Sequence, residues 1–163
     1  MTSKDPIIRP ARSGEAESLS NLALRVKTMR GHARGRIEEL KDGECPSDSQ
    51  ILSEYMRVFV LEQAANVLGF YTLKLQSRFE IELLALFVEP AYFGKGYWKV
   101  LLEDAKSAAV KLGAERLLVA EGDPNVVGQY VAAGATFTGL LESASAGHTL
   151  ASFRLDLPSA HVA

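Results

Sequence analysis

The sequence predicts a mixed α/β domain: a mostly antiparallel central sheet with one parallel strand–helix–strand crossover, and helices on both faces. Three observations carry this expectation. Leu83 to Val88 is an uninterrupted apolar run, which reads as a strand buried on both faces and therefore central in its sheet. A helical pattern follows it and a second strand, Arg116 to Ala120, comes after that helix. Such a crossover over residues 81–120 makes its two strands parallel neighbours. The remaining strand candidates are expected to pair antiparallel. At 163 residues, with 47% hydrophobic and 23% charged side chains, the chain has the size and composition of one globular domain, residues 1–163.

In chain order, Ile7 to Arg9 is a short strand stopped by Pro10, which cannot continue a central ladder. Ser13 is placed to cap the next helix, with Glu15 and Glu17 near its positive end. Leu19, Leu22, Ala23 and Val26 fall on one face of that helix. A second helix is expected over Ala33 to Lys41, stopped by Gly43, in a polar stretch of mixed charge. Ile51 to Arg57 fits neither pattern. Val58 to Leu61 and Val67 to Leu75 are strands by their β-branched and aromatic content, joined by a turn at Gln63 to Asn66. The strand Phe79 to Val88 ends at Pro90. Leu101, Ala105, Ala108 and Leu112 then line one helix face, Lys99 and Glu103 stand at pairing distance, and Gly113 closes the helix. A short strand, a turn at Gly122-Asp123-Pro124, a helix over Asn125 to Ala133 and strands at Thr136 to Leu141 and Leu150 to Leu157 complete the chain.

Several function classes recede at once. Lys and Arg number 18 against 20 Asp and Glu, so no basic field exists to hold a nucleic-acid backbone. Cys45 is the only cysteine, which excludes an internal disulfide and a multi-cysteine metal site. His32, His148 and His161 lack ligand spacing and read as surface residues, so no metal is expected. The longest apolar run is too short for a signal sequence or a membrane span, and a soluble, cytoplasmic protein without a membrane partner is expected.

The informative constellation is a buried strand, a Gly-x-Gly turn at Gly94-Lys95-Gly96, and a helix. Glycines remove Cβ hindrance, and the helix start presents N–H groups at the positive end of its dipole. Together they suit a phosphate or diphosphate, to which Lys95 adds charge. The nucleotide P-loop pattern Gly-x-x-x-x-Gly-Lys-Ser/Thr is absent, as are the third glycine and the spaced acid of a dinucleotide fold.

A second constellation lies further on: Asp123-Pro124-Asn125, then Gln129-Tyr130, then Gly134-Ala135. With Val88-Glu89-Pro90-Ala91-Tyr92-Phe93-Gly94-Lys95-Gly96, the chain resembles the GCN5-related N-acetyltransferase (GNAT) family. The patterns resembled are Val-x-Pro-x-x-Arg-Gly-x-Gly-x-Gly and, about thirty residues on, Asp-Pro-Asn-Ala-x-x-Phe-Tyr-x-x-x-Gly-Ala. The resemblance covers roughly residues 55–157, and the N-terminal elements more loosely.

What the resemblance implies falls on particular residues. The central strand splays from its neighbour, and main-chain groups at Phe87 and Val88 pair with pantetheine. Gly94, Lys95, Gly96 and the amides of Tyr97 and Trp98 hold the diphosphate of acetyl-CoA, the co-substrate. Asn125 approaches the pantetheine or the acetyl end, and Tyr130 protonates the departing thiolate. Acyl transfer to an amine needs a neutral nucleophile, a donor for the carbonyl oxygen and a proton for sulfur; a phenol with an ordinary pKa near 10 supplies that proton. Glu82 is the first choice for the base that receives the ammonium proton and Glu80 the second, both at the start of the central strand on one face. The acceptor is a small-molecule or peptide amine, acetylated directly in a ternary complex. Small proteins of this fold often dimerise, and a homodimer is compatible with the resemblance.

Two residues depart from the family pattern. Phe93 stands where the family usually has Arg or Gln, and Trp98 where it usually has Gly or Ala. Loss of one charge-assisted phosphate bond costs about 1.5–3 kcal/mol, roughly one or two decades of affinity. An indole turned away from the diphosphate leaves the Trp98 amide able to donate; an indole in the cleft leaves a degenerate loop. The departures therefore frame an alternative, a non-catalytic module that binds an acyl-CoA or another ligand. Arg30, Arg34 and Arg36 offer charge to an acidic acceptor or simply form a solvated helix face, and Ser143, Ser145 and Gly147 sit in a loop that borders the acceptor in this family.

Overall fold

The computed structural model describes residues 5–29, 44–142 and 149–158. The helix expected over 33–41 lies outside the described residues, as do Arg30, Arg34, Arg36, the three histidines, and Ser143, Ser145 and Gly147.

Seven strands form one sheet: β1 (Ile7–Pro10), β2 (Met56–Gln63), β3 (Asn66–Leu75), β4 (Glu80–Val88), β5 (Arg116–Glu121), β6 (Thr136–Glu142) and β7 (Thr149–Asp156). Their spatial order is β1-β2-β3-β4-β5-β7-β6. Only β4 and β5 run parallel; every other neighbouring pair is antiparallel. Among the described residues, four α-helices accompany them: α1 (Ala16–Met29), α2 (Asp48–Ile51), α3 (Tyr97–Lys111) and α4 (Pro124–Ala132). The expected architecture is the observed one.

Each face of the sheet has its own core. Leu19, Leu22, Ala23 and Val26 of α1 pack on Val58, Val60, Phe70, Ala85 and Phe87. Leu101, Leu102, Ala105 and Ala109 of α3, with Val126 and Tyr130 of α4, pack on the opposite face against Tyr71, Leu83, Leu86, Val88 and Leu117. The Tyr71 hydroxyl donates to Asp104 Oδ2 at 2.6 Å, fastening α3 to the strand below it. Burial, then the Asp104 carboxylate, pushes that phenol well above its usual range and keeps it neutral.

Several local expectations are corrected. α1 starts at Ala16, with the Leu19 amide donating to the Glu15 carbonyl, rather than behind a Ser13 cap; the Glu15 carboxylate accepts from the Arg12 amide and both Arg9 terminal nitrogens. Pro10 belongs to β1, which is tolerated because β1 is an edge strand. The ambiguous stretch before β2 follows a single helical turn whose start is a reciprocal Ser47–Gln50 capping box. The buried face of α3 is Leu101, Leu102, Ala105 and Ala109, whereas Leu112 sits at the helix end and is exposed. Glu103 meets Lys106 at 3.3 Å instead of Lys99.

Two places in the β2–β4 meander are conformationally demanding. Gln63 pairs with Asn66, so Ala64 and Ala65 alone turn the hairpin, at φ 49° and 66°. Both lie in the left-handed region, where a Cβ costs about 1–2 kcal/mol and where Asn-Gly is the favoured dipeptide. At Gly69, by contrast, the limit is space: an added Cβ would lie 2.5 Å from the Phe87 carbonyl oxygen and 3.0 Å from Leu101 Cδ1.

Replacing Ala64-Ala65 by Asn-Gly is expected to stabilise the protein by about 1 kcal/mol, a gain of roughly 2–4 °C in melting temperature for a domain of this size. Gly69→Ala is expected to cost about 1–3 kcal/mol through overpacking, read as a lower midpoint in the same thermal scan.

Candidate active site

The site begins with one extra residue. Leu73 pairs with Leu83 and Thr72 with Ala85, so Leu84 is a bulge in β4 with no opposite number on β3. Ahead of the bulge, Glu80 to Leu83 pair in parallel with Arg116 to Val119. That ladder stops at the bulge. Among the described residues, no strand pairs with the β5-facing edge of Leu84 to Val88, while β5 pairs with β7 along its other edge from Arg116 to Glu121. The expected splay is therefore a property of the sheet, and it leaves a row of main-chain donors and acceptors along β4.

Phe87 and Val88 lie in the half of β4 beyond the ladder to β5. Both side chains are buried, Phe87 toward α1 and Val88 toward α3, so what they offer to a ligand is main chain. From Val88 the chain passes through a single 3₁₀ turn, Pro90–Tyr92, into Phe93, the glycine turn and α3. Gly94 and Gly96 take φ 79° and 85°, and nothing lies within 4 Å of a Cβ built on either. Gly96 is the N-cap of α3, and no side chain caps the helix. The first-turn amides, including those of Tyr97 and Trp98, have no intrahelical acceptor. A diphosphate fits this cradle by donor chemistry and by space. Lys95 is exposed, its ammonium 5.9 Å from the centre of the Tyr92 ring. Phe93 is 43% exposed and brings no charge to the turn.

Trp98 does not lie over the glycines. Its indole meets the ring of Tyr130 edge-on, with centroids 5.1 Å apart and planes at 69°. It also lines a groove of about 430 Å³ between α3 and α4, with Lys99, Leu102, Gln129 and Ala133. Tyr130, on α4, is only 3% exposed. Asn125 is exposed in the first turn of the same helix, where its amide donates to Asp123 Oδ1 at 2.9 Å. Asp123, the N-cap, is buried, and its own amide donates to buried Glu121 at the end of β5.

The two acids considered as bases differ in their surroundings. Glu80 is tied to Arg116 at 3.1 Å. Glu82 is half-buried and accepts a 2.6 Å bond from Gln76 Nε2. Because Ile81 and Leu83 face α3, strand alternation sends Glu80 and Glu82 to the opposite face, just before the bulge.

The structure adds groups that sequence reasoning passed over. Lys27 and Glu44 form an ion pair at 3.1 Å with both side chains nearly inaccessible, and Lys27 Nζ lies 5.8 Å from the Phe87 ring centre. Glu121 and Asp123 are buried carboxyl groups on the rim of the parted strands. Asp-Pro-Asn spacing is a legible signal for the Asp123 cap, whereas nothing in the local pattern marks Lys27 or Glu44 as buried. Burial raises the pKa of the Cys45 thiol, which suits no nucleophilic role. Among the described residues, no helix is long and apolar enough to cross a membrane. Nor do three or more His, Cys, Asp or Glu side chains gather there as a metal site requires.

Comparison with known proteins bears on the same elements. No curated protein sequence matches the chain. Solved structures do, at low identity. Ard1 from Thermoplasma volcanium superposes with a TM-score of 0.73 at 17% identity, covering 94% of this chain and 99% of that one. The Salmonella typhimurium protein yncA, solved with its cofactor acetyl-CoA, gives 0.67 at 18% identity over 96% of both chains. An aminoglycoside 6′-N-acetyltransferase complexed with coenzyme A gives 0.72 at 13% identity, covering 93% of this chain and 98% of that one. At such identities the likeness establishes the fold. Membership comes from the family model of the Acetyltransferase (GNAT) family, which matches residues 26–132. That span takes in the bulged strand, its parted neighbour and both helices beside them, and the chain belongs to the GNAT family of acetyltransferases.

Proposed function

We propose that the protein is an acetyl-CoA-dependent N-acetyltransferase that passes an acetyl group directly to a primary amine of a small molecule or peptide. The observation that carries this reading is the continuity of one surface. The edge of β4 at Leu84 to Val88, beyond the end of its ladder with β5, runs through one short turn into the open glycines and the start of α3. An extended pantetheine arm would add to that edge as a strand does, with its diphosphate on the amides of Gly94 to Trp98. The family match and the coenzyme-bound neighbours support the same coenzyme.

In the transfer, the amine nitrogen bonds to the thioester carbonyl carbon as the C–S bond breaks and its electron pair goes to sulfur. Tyr130 gives the thiolate its proton, and Glu82 takes the proton shed by the amine, directly or through water. Glu82 is preferred to Glu80 because an Arg116 partner already engages Glu80, while the neighbour of Glu82 is a neutral amide. Main-chain N–H groups on the β4 edge, near Phe87 and Val88, stabilise charge on the carbonyl oxygen. Asn125, at the mouth of the parting, contacts the pantetheine or acetyl end. The placement of the indole against α4 rather than over the glycines supports an active site over the non-catalytic alternative.

Calorimetric titration with acetyl-CoA is expected to show one site per chain, weakened at least tenfold by Gly96→Val, which forces a β-branched residue to positive φ. Absence of heat and of a thermal shift at millimolar acetyl-CoA would sink the reading. Thiol release over a panel of polyamines, amino acids, aminoglycosides and peptide N-termini identifies the acceptor. With that acceptor, Tyr130→Phe is expected to lower kcat by about 10²-fold or more. Glu82→Gln is expected to lower kcat by about 10²-fold, whereas Glu80→Gln leaves kcat little changed.

A further inference from the structure

The geometry points to Trp98 as a positioning residue for Tyr130: its indole, standing edge-on to the phenol ring, holds that ring in the orientation from which it serves the site. The inference rests on the proposed role of Tyr130 as the acid. Three observations support it. The rings meet at 5.1 Å and 69°, an edge-to-face contact whose energy depends on the angle between the planes and so restrains rotation. The indole Nε1–H is buried without a hydrogen-bond partner; a stranded donor is a cost, so ring packing rather than a polar tether keeps the side chain there. Finally, the groove beside the pair is lined on the α4 side by Gln129, Ala132 and Ala133, with no second aromatic side chain among its lining residues. Without the indole, the groove would open onto Tyr130 and give its ring a void to turn into.

Position matters as much as contact. Trp98 stands two residues beyond Gly96, in the first turn of α3. The backbone that donates to a diphosphate and the side chain that holds the acid ring therefore belong to one residue. The small residue usual in the family at this place cannot do the second task.

The test uses the full chain and the best acceptor from the amine panel. Trp98→Ala is expected to lower kcat at least tenfold while the KM for acetyl-CoA moves less than threefold, and Trp98→Phe, which keeps a ring, to recover most of the loss. A double-mutant cycle then separates positioning from general damage. In a Tyr130→Phe background, Trp98→Ala is expected to change kcat less than twofold. An equal tenfold loss in both backgrounds, or an unchanged kcat in Trp98→Ala, overturns the inference while leaving the acid assignment intact. A Tyr130→Phe enzyme that turns over like wild type removes the acid assignment and this inference with it. Emission adds a readout that needs no turnover, since Trp98 is the only tryptophan in the chain. Tyr130→Leu is expected to shift its emission maximum to the red as the indole loses its packing; an unshifted maximum would show that the two rings do not hold one another and would overturn the proposal.

Discussion

Everything functional in this molecule depends on one extra residue in its central strand. With Leu84 bulged, the ladder from β4 to β5 ends at Leu83, and among the described residues no strand extends that edge of β4 further. Main-chain groups inside a sheet need partners, and in the proposed function a substrate adds to this edge. The bulge also shifts the alternation of side chains. Glu82 faces away from α3 ahead of it, and Ala85 and Phe87 face α1 behind it. One inserted position thus opens the cleft, turns a carboxylate toward one side of the sheet and keeps apolar groups sealed on both faces beyond it.

The helices give that cleft its two ends. α3 starts directly behind β4 on a pair of left-handed glycines, which directs its bare first turn back toward the strand's end. α4 starts directly behind β5, capped by Asp123, and carries Asn125 and Tyr130. Since each helix is placed by the strand before it, the separation of β4 and β5 also sets the separation of the groups at their ends. The packing of Trp98 on Tyr130 is a direct contact between the two helices.

Much of this was legible in the sequence, for identifiable reasons. The apolar run at Leu83 to Val88, the glycine turn and the Asp123-to-Ala135 pattern are local signals, and each describes backbone whose conformation is set nearby. The crossover between β4 and β5 followed from chirality and chain length alone. What escaped was non-local. The bulge at Leu84 leaves no mark in an all-apolar stretch, because either residue count would bury the same side chains. The Lys27–Glu44 pair joins residues that each read as solvated, and only their meeting beneath the sheet makes burial tolerable. On α3 the apolar face was misjudged by one position because Ala108 and Ala109 are equivalent to any periodicity count, and packing on β3 and β4 chose Ala109. Trp98 posed a question that sequence could frame but not answer, since the direction of an indole is decided by the space between two helices.

The strand order has a consequence for how the chain is assembled during synthesis. β7 follows both β5 and β6 in the sequence, yet it lies between them and supplies partners to both. Until it is made, β5 has, among the described strands, the four-residue ladder to β4, and β6 has no described strand to pair with. The N-terminal half, from β1 through β4, is a meander of consecutive antiparallel pairs closed by one long-range pairing. It is equipped to form early, whereas the side of the cleft that carries Tyr130 must wait until β7 has been made. A nascent chain therefore carries a half-built sheet with an open edge at its centre, and loss of the C-terminal strand alone would strand the molecule in that state.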